Sequence, residues 1–539
     1  MKFKVIDFFC GAGGFSEGFR QAGFDVIWAV DLWQPAVDTH NENHPETKAI
    51  NDNVIRLSML PDPEFDSAIP DAEVIIGSPP CNAFSNSNKS GKGDKAKGID
   101  LIEAYLRIVA RKKFKKNSIL KYWILENVPK VQSHIKERYS AKDLKLEGDF
   151  ELIVKGENVN VYNAKYFGVP SSRKRFFCGE FPQPKQVFNE DKELITLNTI
   201  TSSLAAPKEK LDQNIADPLY DLELKGIDIT DHHYIQELAE FEWKTAKRLK
   251  QDKGYMGKMS LPENGNKPAR TIMATISFAA RESFILSIEP NRFRAPTIRE
   301  VASLMSFPID YRFYGSSIGT KYKLVGNAVP PKIAYAFAKA INKKESIKNS
   351  KGYIAIQHPE KIDFTNLNFD IFHINIEKPK KDIAKFKYHI PYFIYNAYRV
   401  ELTNHHSDFN KKQFKWCAEI HYSQGNRAKV YSPKLESFEF CEDDISKANI
   451  FLQQFKSKQI TNKLFQEAYC KTTDDRIKNK LLGPFELLDS IKYYLDKKFK
   501  FTKNESKISL HDKHLKEIPR PIAIGYYILS KSIQIMKIY

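Results

Sequence analysis

The chain has 539 residues, with 84 Lys and Arg against 66 Asp and Glu and a formal net charge of +18. That length exceeds one ordinary domain and implies two to three, with enough apolar residues for real cores. Six scattered cysteines argue against a disulfide framework and against a CxxC zinc site, and no apolar run approaches membrane-spanning length.

The cation surplus favours a polyanionic partner, because counterion release from phosphates drives binding to a basic surface; a solvated basic surface without a partner has the same composition. Met1-Lys2-Phe3-Lys4 leads into a strand pattern rather than a signal peptide, so the cytoplasm is the expected compartment.

Short apolar strands alternate with helical patterns in the first third. Lys4 to Phe9 is a strand, a helix starts near Ser16, a second strand runs from Val26 to Val30, and a helix covers Pro35 to Asn43. Further strands are predicted at Val74 to Ile76 and Tyr122 to Leu125, separated by the amphipathic run Ile99 to Val109. This alternation predicts βαβ units and a parallel sheet, whose ligands gather at the carboxyl ends of the strands. The loops after Phe9, Asp31, Ile76 and Leu125 lie there.

From about Pro182 to Ala295 the alternation is lost, as expected for a smaller inserted domain. Helices at Ile298 to Met305 and after Pro331 restore the earlier style. The first domain is therefore expected over 1–182 and 296–345, interrupted by an insert over 183–295. A Lys-rich hinge follows near Lys343 to Lys351, and 352–539 reads as a folded C-terminal domain of unknown fold and function.

Gly77-Ser78-Pro79-Pro80-Cys81-Asn82 runs from an apolar strand into a stiff turn that presents one thiol. Each proline fixes φ, so Cys81 sits on a loop that loses little entropy when it closes on a substrate. It is a candidate nucleophile; a buried turn cysteine is the plainer alternative. Asp7-Phe8-Phe9-Cys10-Gly11-Ala12-Gly13-Gly14-Phe15-Ser16 places glycines between a strand and a helix, where the backbone can approach a nucleotide-type ligand.

Asp31 ends the next strand, where a carboxylate can accept both hydroxyls of a ribose, and Asp52 follows a third and could accept from an adenine amino group. Each also reads as a cap or turn residue. Glu126 follows Tyr122-Trp123-Ile124-Leu125 at the same sheet edge as Cys81, where a carboxyl can donate a proton to a ring nitrogen. Arg173 and Arg175 alternate along Ser171-Ser172-Arg173-Lys174-Arg175-Phe176-Phe177 and so share a strand face suited to an anion or a base carbonyl.

In this order and spacing the motifs, together with Arg299-Glu300-Val301-Ala302-Ser303-Leu304-Met305-Ser306-Phe307-Pro308 and Gly326-Asn327-Ala328-Val329-Pro330-Pro331, resemble the cytosine-C5 DNA methyltransferases of bacterial type II restriction-modification systems. The resemblance covers residues 1 to about 345. It implies an α/β fold: a Rossmann-like S-adenosylmethionine-dependent domain with a small inserted target-recognition domain. By the same resemblance Cys81 would add to C6 of a flipped-out cytosine, Glu126 would engage N3, Arg175 the O2 carbonyl, and Arg173 would help hold the site.

Phe9, Gly11, Gly13, Gly14 and Pro79 would border S-adenosyl-L-methionine, Asp31 its ribose and Asp52 its adenine, with Asn327 closing the pocket; either Leu32 or Trp33 would pack the adenine. Ser85, Arg270 and Thr271 would contact the DNA. Two positions depart from the common pattern: Asn82 and Ser171 stand where glutamine is frequent.

The implied partners are double-stranded DNA and a cognate restriction endonuclease as functional counterpart, for a monomeric, nucleoid-associated protein of the bacterial cytoplasm. An RNA methyltransferase on the same scaffold, a catalytically silent DNA-binding relative, and a bifunctional protein with a C-terminal nuclease are the alternatives. The last third carries a further excess of basic residues and reads first as a DNA-binding appendage. Its acidic group Glu439, Glu442, Asp443 and Asp444 reads as a solvated turn rather than a magnesium site.

Overall fold

A computed structural model describes residues 2–80, 84, 95–251, 259–275, 277–278, 280–348, 352–358, 375–423, 429–499, 501–502, 506–512 and 515–538. The chain forms two compact units. The first comprises Met1–Leu238, Leu261–Phe278 and Glu282–Ile374; the second comprises Ala239–Ser260, Ala279–Arg281 and Asn375–Tyr539.

The first unit is an α/β sandwich built on a seven-stranded sheet. Its strands are β1 (Lys4–Phe8), β2 (Asp25–Asp31), β3 (Lys48–Asn51), β4 (Val74–Gly77), β5 (Tyr122–Asn127), β6 (Asn160–Asn163) and β7 (Lys174–Glu180), in the order β3-β2-β1-β4-β5-β7-β6. The first five are parallel, and β7 runs antiparallel to both β5 and β6. Phe8 pairs with Gly77, Gly77 with Leu125, and Asp31 with Asn51, so the loops that carry the sequence motifs emerge at one edge. The strand order reverses between β1 and β4, which opens a crevice at that edge.

Both faces are covered, which explains the near-continuous apolar runs of the strands. Ile6, Phe8, Ile75, Trp123 and Leu125 pack with Ile102, Tyr105 and Leu106 of helix α3 (Lys95–Phe114). Their neighbours along the strands, Val5, Val74, Ile76 and Ile124, pack on the other face with Phe15 and Phe19 of α1 (Gly14–Gln21). That second cluster also takes Ile333, Phe337 and Ile341, which return on α6 (Pro331–Lys344). Between α1 and α6 the chain adds α2 (Gln34–Asn43), α3, α4 (Ile298–Leu304) and α5 (Ile318–Asn327). α6 thus packs on the same face of the sheet as α1, although it lies far along the chain from β1–β5.

The segment 183–295 is divided between the units. Its helix Glu240–Gln251 belongs to the second, where Arg248 pairs with Asp489 and Glu242 accepts from Asn375 at 2.9 Å.

The second unit contains a four-stranded antiparallel sheet: β8 (Lys387–Tyr395), β9 (Tyr398–Thr403), β10 (Cys417–Tyr422) and β11 (Lys429–Tyr431). Val400, Leu402 and Ile420 join Trp416 and the helices Pro484–Phe499 and Arg520–Ile538 in one core. Of the acidic group in this unit, Glu439, Glu442 and Asp443 are exposed, whereas Asp444 is buried. Asp443 and Asp444 open the helix Glu442–Lys456, where carboxylates complement the helix N-terminus, and Asp444 is buried against Arg520 at 2.6 and 3.0 Å. Among the described residues no helix is long and apolar enough to cross a membrane.

Gly18 sets how closely α1 approaches α6, since a β-carbon there would collide with Ala334 and with the Pro331 carbonyl. Gly18→Val should overpack this contact at a cost of about 1–3 kcal/mol, read as a melting temperature lowered by several degrees.

Candidate active site

The glycine loop after β1 is held from below and from the side. Phe9 and Gly11 take left-handed conformations, and the Gly11 N–H donates to Asp31 Oδ2 at 3.0 Å. The Trp33 N–H donates to Asp31 Oδ1 at 2.9 Å. Each carboxylate oxygen keeps a lone pair, so Asp31 can still accept two hydroxyls. Burial raises its pKa, and the backbone donors oppose that. Beneath the loop the Tyr311 hydroxyl donates to the Ala12 carbonyl at 2.5 Å, and Ser16 Oγ donates to Asp7 Oδ2 at 2.7 Å.

These residues wall a cleft of about 220 Å³ at the reversal point of the sheet. Phe9, Gly11, Phe15, Asp31 and Trp33 lie on its lining, as do Pro79, Glu126, Arg173, Arg175 and Asn327. Lys323 Nζ sits 4.5 Å from the Trp33 ring centroid. Trp33 is therefore the aromatic of this wall; Leu32 is 67 % exposed and is absent from the lining. Asp52 is absent too. Its carboxylate is engaged by Arg56 four residues on, with Nε at 2.9 Å, and by its neighbour's backbone N–H, and the bond to Arg56 lowers its pKa. Gly13 and Gly14 shape the turn beneath: a β-carbon on Gly14 would strike the Val329 carbonyl.

Glu126 is the penultimate residue of β5 rather than following the strand, and is 4 % exposed. Ser78 Oγ donates to its Oε2 at 2.5 Å, and Arg175 Nε pairs with its Oε1 at 2.9 Å. Asn127 Nδ2 donates to the Pro79 carbonyl at 3.0 Å and ties the two loops together. Ser78 and Asn127 were legible only as members of their motifs; their work depends on partners across the sheet. Cys81, Asn82 and Ser85 lie outside the described residues, immediately after this fixed Ser78-Pro79-Pro80 turn.

Arg173 does something other than face a substrate with its fork. It is 1 % exposed and donates to the carbonyls of Ile272, Gly326 and Ala328 at 3.0–3.1 Å. Thr271 Oγ1 donates to the Ser172 carbonyl at 2.8 Å, and Ala269-Arg270 pairs in parallel with Ser171-Ser172. Arg270 is occupied by Glu263, with Nε at 2.9 and 3.0 Å, and by the Glu282 carbonyl at 2.8 Å. Thus the segment that bears Arg270 and Thr271 is stitched to the strand entering the cleft.

Residues 3–343 match the family described as C-5 cytosine-specific DNA methylase, and the chain belongs to that family. It is 28 % identical to the type II methyltransferase M.MthTI of Methanothermobacter thermautotrophicus, over 64 % of this chain and 98 % of that one. It is 27 % identical to M.NgoPII of Neisseria gonorrhoeae, over 63 % and 95 %. Among solved structures, S. pombe Dnmt2 methyltransferase aligns with a TM-score of 0.40 at 16 % identity, covering 64 % of this chain and 99 % of that one. The protein is a DNA cytosine methyltransferase.

Arg173→Ala should destabilise the first unit by at least about 3 kcal/mol in chemical denaturation, because buried carbonyls lose charged donors; Arg173→Lys, lacking the planar fork, should restore only part.

Burial pushes the Asp7 carboxyl up to about 8 from its ordinary 3.8. The folded chain then keeps a proton that the unfolded chain releases, so this group's contribution is complete below about pH 4 and is lost as pH rises through about 8. Asp7→Asn should flatten that decline, raising the denaturation midpoint near pH 8 more than near pH 5.

Proposed function

We propose that this chain transfers a methyl group from S-adenosyl-L-methionine to C5 of a cytosine flipped out of a specific double-stranded DNA sequence, through a transient Cys81 adduct. The observation that carries the reading is Glu126, buried and held by Ser78 and Arg175 on the wall of a cleft whose other side is the Gly11–Asp31 loop.

The donor set of the cleft fits the cofactor. Asp31 keeps acceptor capacity for ribose hydroxyls, Trp33 offers a face for an adenine, and the glycine loop with Asn327 bounds the remainder. When bound, S-adenosylmethionine supplies an electrophilic methyl group.

The chain's own residues do the rest. The Cys81 thiolate adds to C6 of cytosine, forming a C–S bond and breaking the ring's aromaticity. Glu126 supplies a proton to N3 and Arg175 donates to the O2 carbonyl, neutralising the charge that moves into the ring; a guanidinium with five donors can serve Glu126 and O2 together. C5 would take the methyl group as the donor's S–CH₃ bond breaks and leaves its electron pair on that sulfur as a neutral thioether; the C5 proton then leaves to a base, and the electron pair of that C–H bond expels the cysteine. The target base has to leave the stack before any of this.

The insert over 183–295 is read as a target-recognition region and the activity as protection of DNA in a restriction-modification system, on the strength of the type II relatives. The retained Glu126 and Arg175 favour an enzyme over a silent relative, and the motif order favours DNA over RNA.

Cys81→Ala should abolish methyl transfer to duplex DNA while cofactor binding persists, and Glu126→Gln should lower kcat by about 10²–10³-fold. Bisulfite sequencing of DNA from expressing cells reads the first outcome, and covalent capture on a 5-fluorocytosine duplex tests the adduct. Turnover by Cys81→Ala would overturn the covalent route.

A further inference from the structure

The second unit holds a side-chain cluster that methyl transfer does not use. On the antiparallel pair β9–β10, Glu401 stands directly opposite Glu419 and Arg399 opposite His421. The two-residue period of strands puts Glu401, Glu419 and His421 on one face and Val400, Leu402 and Ile420 on the other, in the core. All three polar residues are buried, at 5 %, 7 % and 3 % exposure. Like charges directly opposite one another weaken a ladder, and buried carboxylates require compensation.

The compensation present is incomplete. His421 Nε2 lies 2.8 Å from Glu419 Oε2 and 3.2 Å from Glu401 Oε2, and one ring nitrogen carries at most one proton. Glu401 Oε2 accepts no hydrogen bond. Lys387 Nζ stands 3.5 and 3.6 Å from the two carboxylates, beyond good hydrogen-bond length. The outer oxygens, by contrast, are well held: Arg399 Nε donates to Glu401 Oε1 at 2.5 Å, and His406 meets Glu419 Oε1 at 2.8 Å. Fixed outer oxygens turn the inner ones toward the imidazole, as outer-shell partners do around metal ligands. One ligand atom from each of the three residues lies within 4.8 Å of the others.

We propose that Glu401, Glu419 and His421 form a divalent metal-ion site. Two carboxylate oxygens and one imidazole nitrogen suit a borderline cation, Mn²⁺ or Zn²⁺, better than Mg²⁺ or a thiolate-loving ion. A protein set of three leaves coordination positions for water or an anionic ligand, the mark of a working site rather than a closed structural one.

Titration calorimetry of the full chain with MnCl₂ and, separately, ZnCl₂ tests this. One saturable site is expected for at least one ion, and Glu401→Gln/Glu419→Gln should weaken it at least about 100-fold, given that losing even an outer-shell partner costs about 10- to 100-fold. His421→Asp, which exchanges nitrogen for oxygen, should shift preference from Zn²⁺ toward Mn²⁺ and keeps the test alive if the double variant misfolds by circular dichroism. No saturable binding of either ion by the wild type, or binding unchanged in a folded double variant, would overturn the site and leave the cluster as an ion-pair network.

Discussion

One buried guanidinium holds the catalytic edge of the first unit together. Arg173 reaches carbonyls 99, 153 and 155 residues further along the chain, and by doing so fixes the strand that carries Arg175 against both the Ile272 segment and the Gly326–Ala328 loop. A charge this deeply buried is costly unless its donors are matched. Here the match comes from carbonyls at places where the chain leaves regular structure, acceptors that would otherwise lie buried without partners. The same cation therefore serves several backbone groups and ties the start of β7 to the segment that carries Asn327 on the cleft wall.

The parallel sheet supplies the rest of the placement by short-range means. A strand that ends in glycine or aspartate hands its next residue to the carboxyl edge, and five parallel strands hand theirs to the same edge. For that reason the edge positions of the glycine loop, Asp31 and Glu126 were legible in the amino-acid sequence: each ends or directly follows an apolar strand pattern. The two faces of the sheet were legible for a similar reason, since Val5 and Ile6, or Ile75 and Ile76, fall to opposite clusters by simple alternation.

What escaped the sequence was whatever depends on a choice between neighbours or on a distant partner. Leu32 and Trp33 are adjacent, and only the turn made by the Trp33 N–H on Asp31 decides that the aromatic lines the cleft. Asp52 has the spacing of a ligand-binding carboxylate, yet Arg56, one helical turn away, claims it. Arg270 carries the right charge for a phosphate and is engaged instead by Glu263 and by carbonyls. In the last third, Glu439, Glu442, Asp443 and Asp444 stand out because they lie within six residues of chain. Glu401, Glu419 and His421 gave no such signal, because it is the antiparallel register that makes neighbours of residues 18 positions apart.

Two buried carboxylates, Glu300 and Glu401, are compensated differently. Glu300 accepts from Arg294 at 2.7 Å on each oxygen and from the Thr297 N–H at 2.8 Å, closing a capping box at the start of α4. Burial opposes ionisation there, but the Arg294 guanidinium and these bonds prevail and hold its pKa below the ordinary value. Such a group is complete and has no capacity left for a ligand. At Glu401 the fork is absent: one oxygen is held, and the other faces a second carboxylate and a shared imidazole. The contrast lies in geometry: a bidentate guanidinium uses both oxygens of Glu300, whereas at Glu401 the inner oxygen has only a shared imidazole and a distant ammonium to face, which is the arrangement the proposed cation would complete.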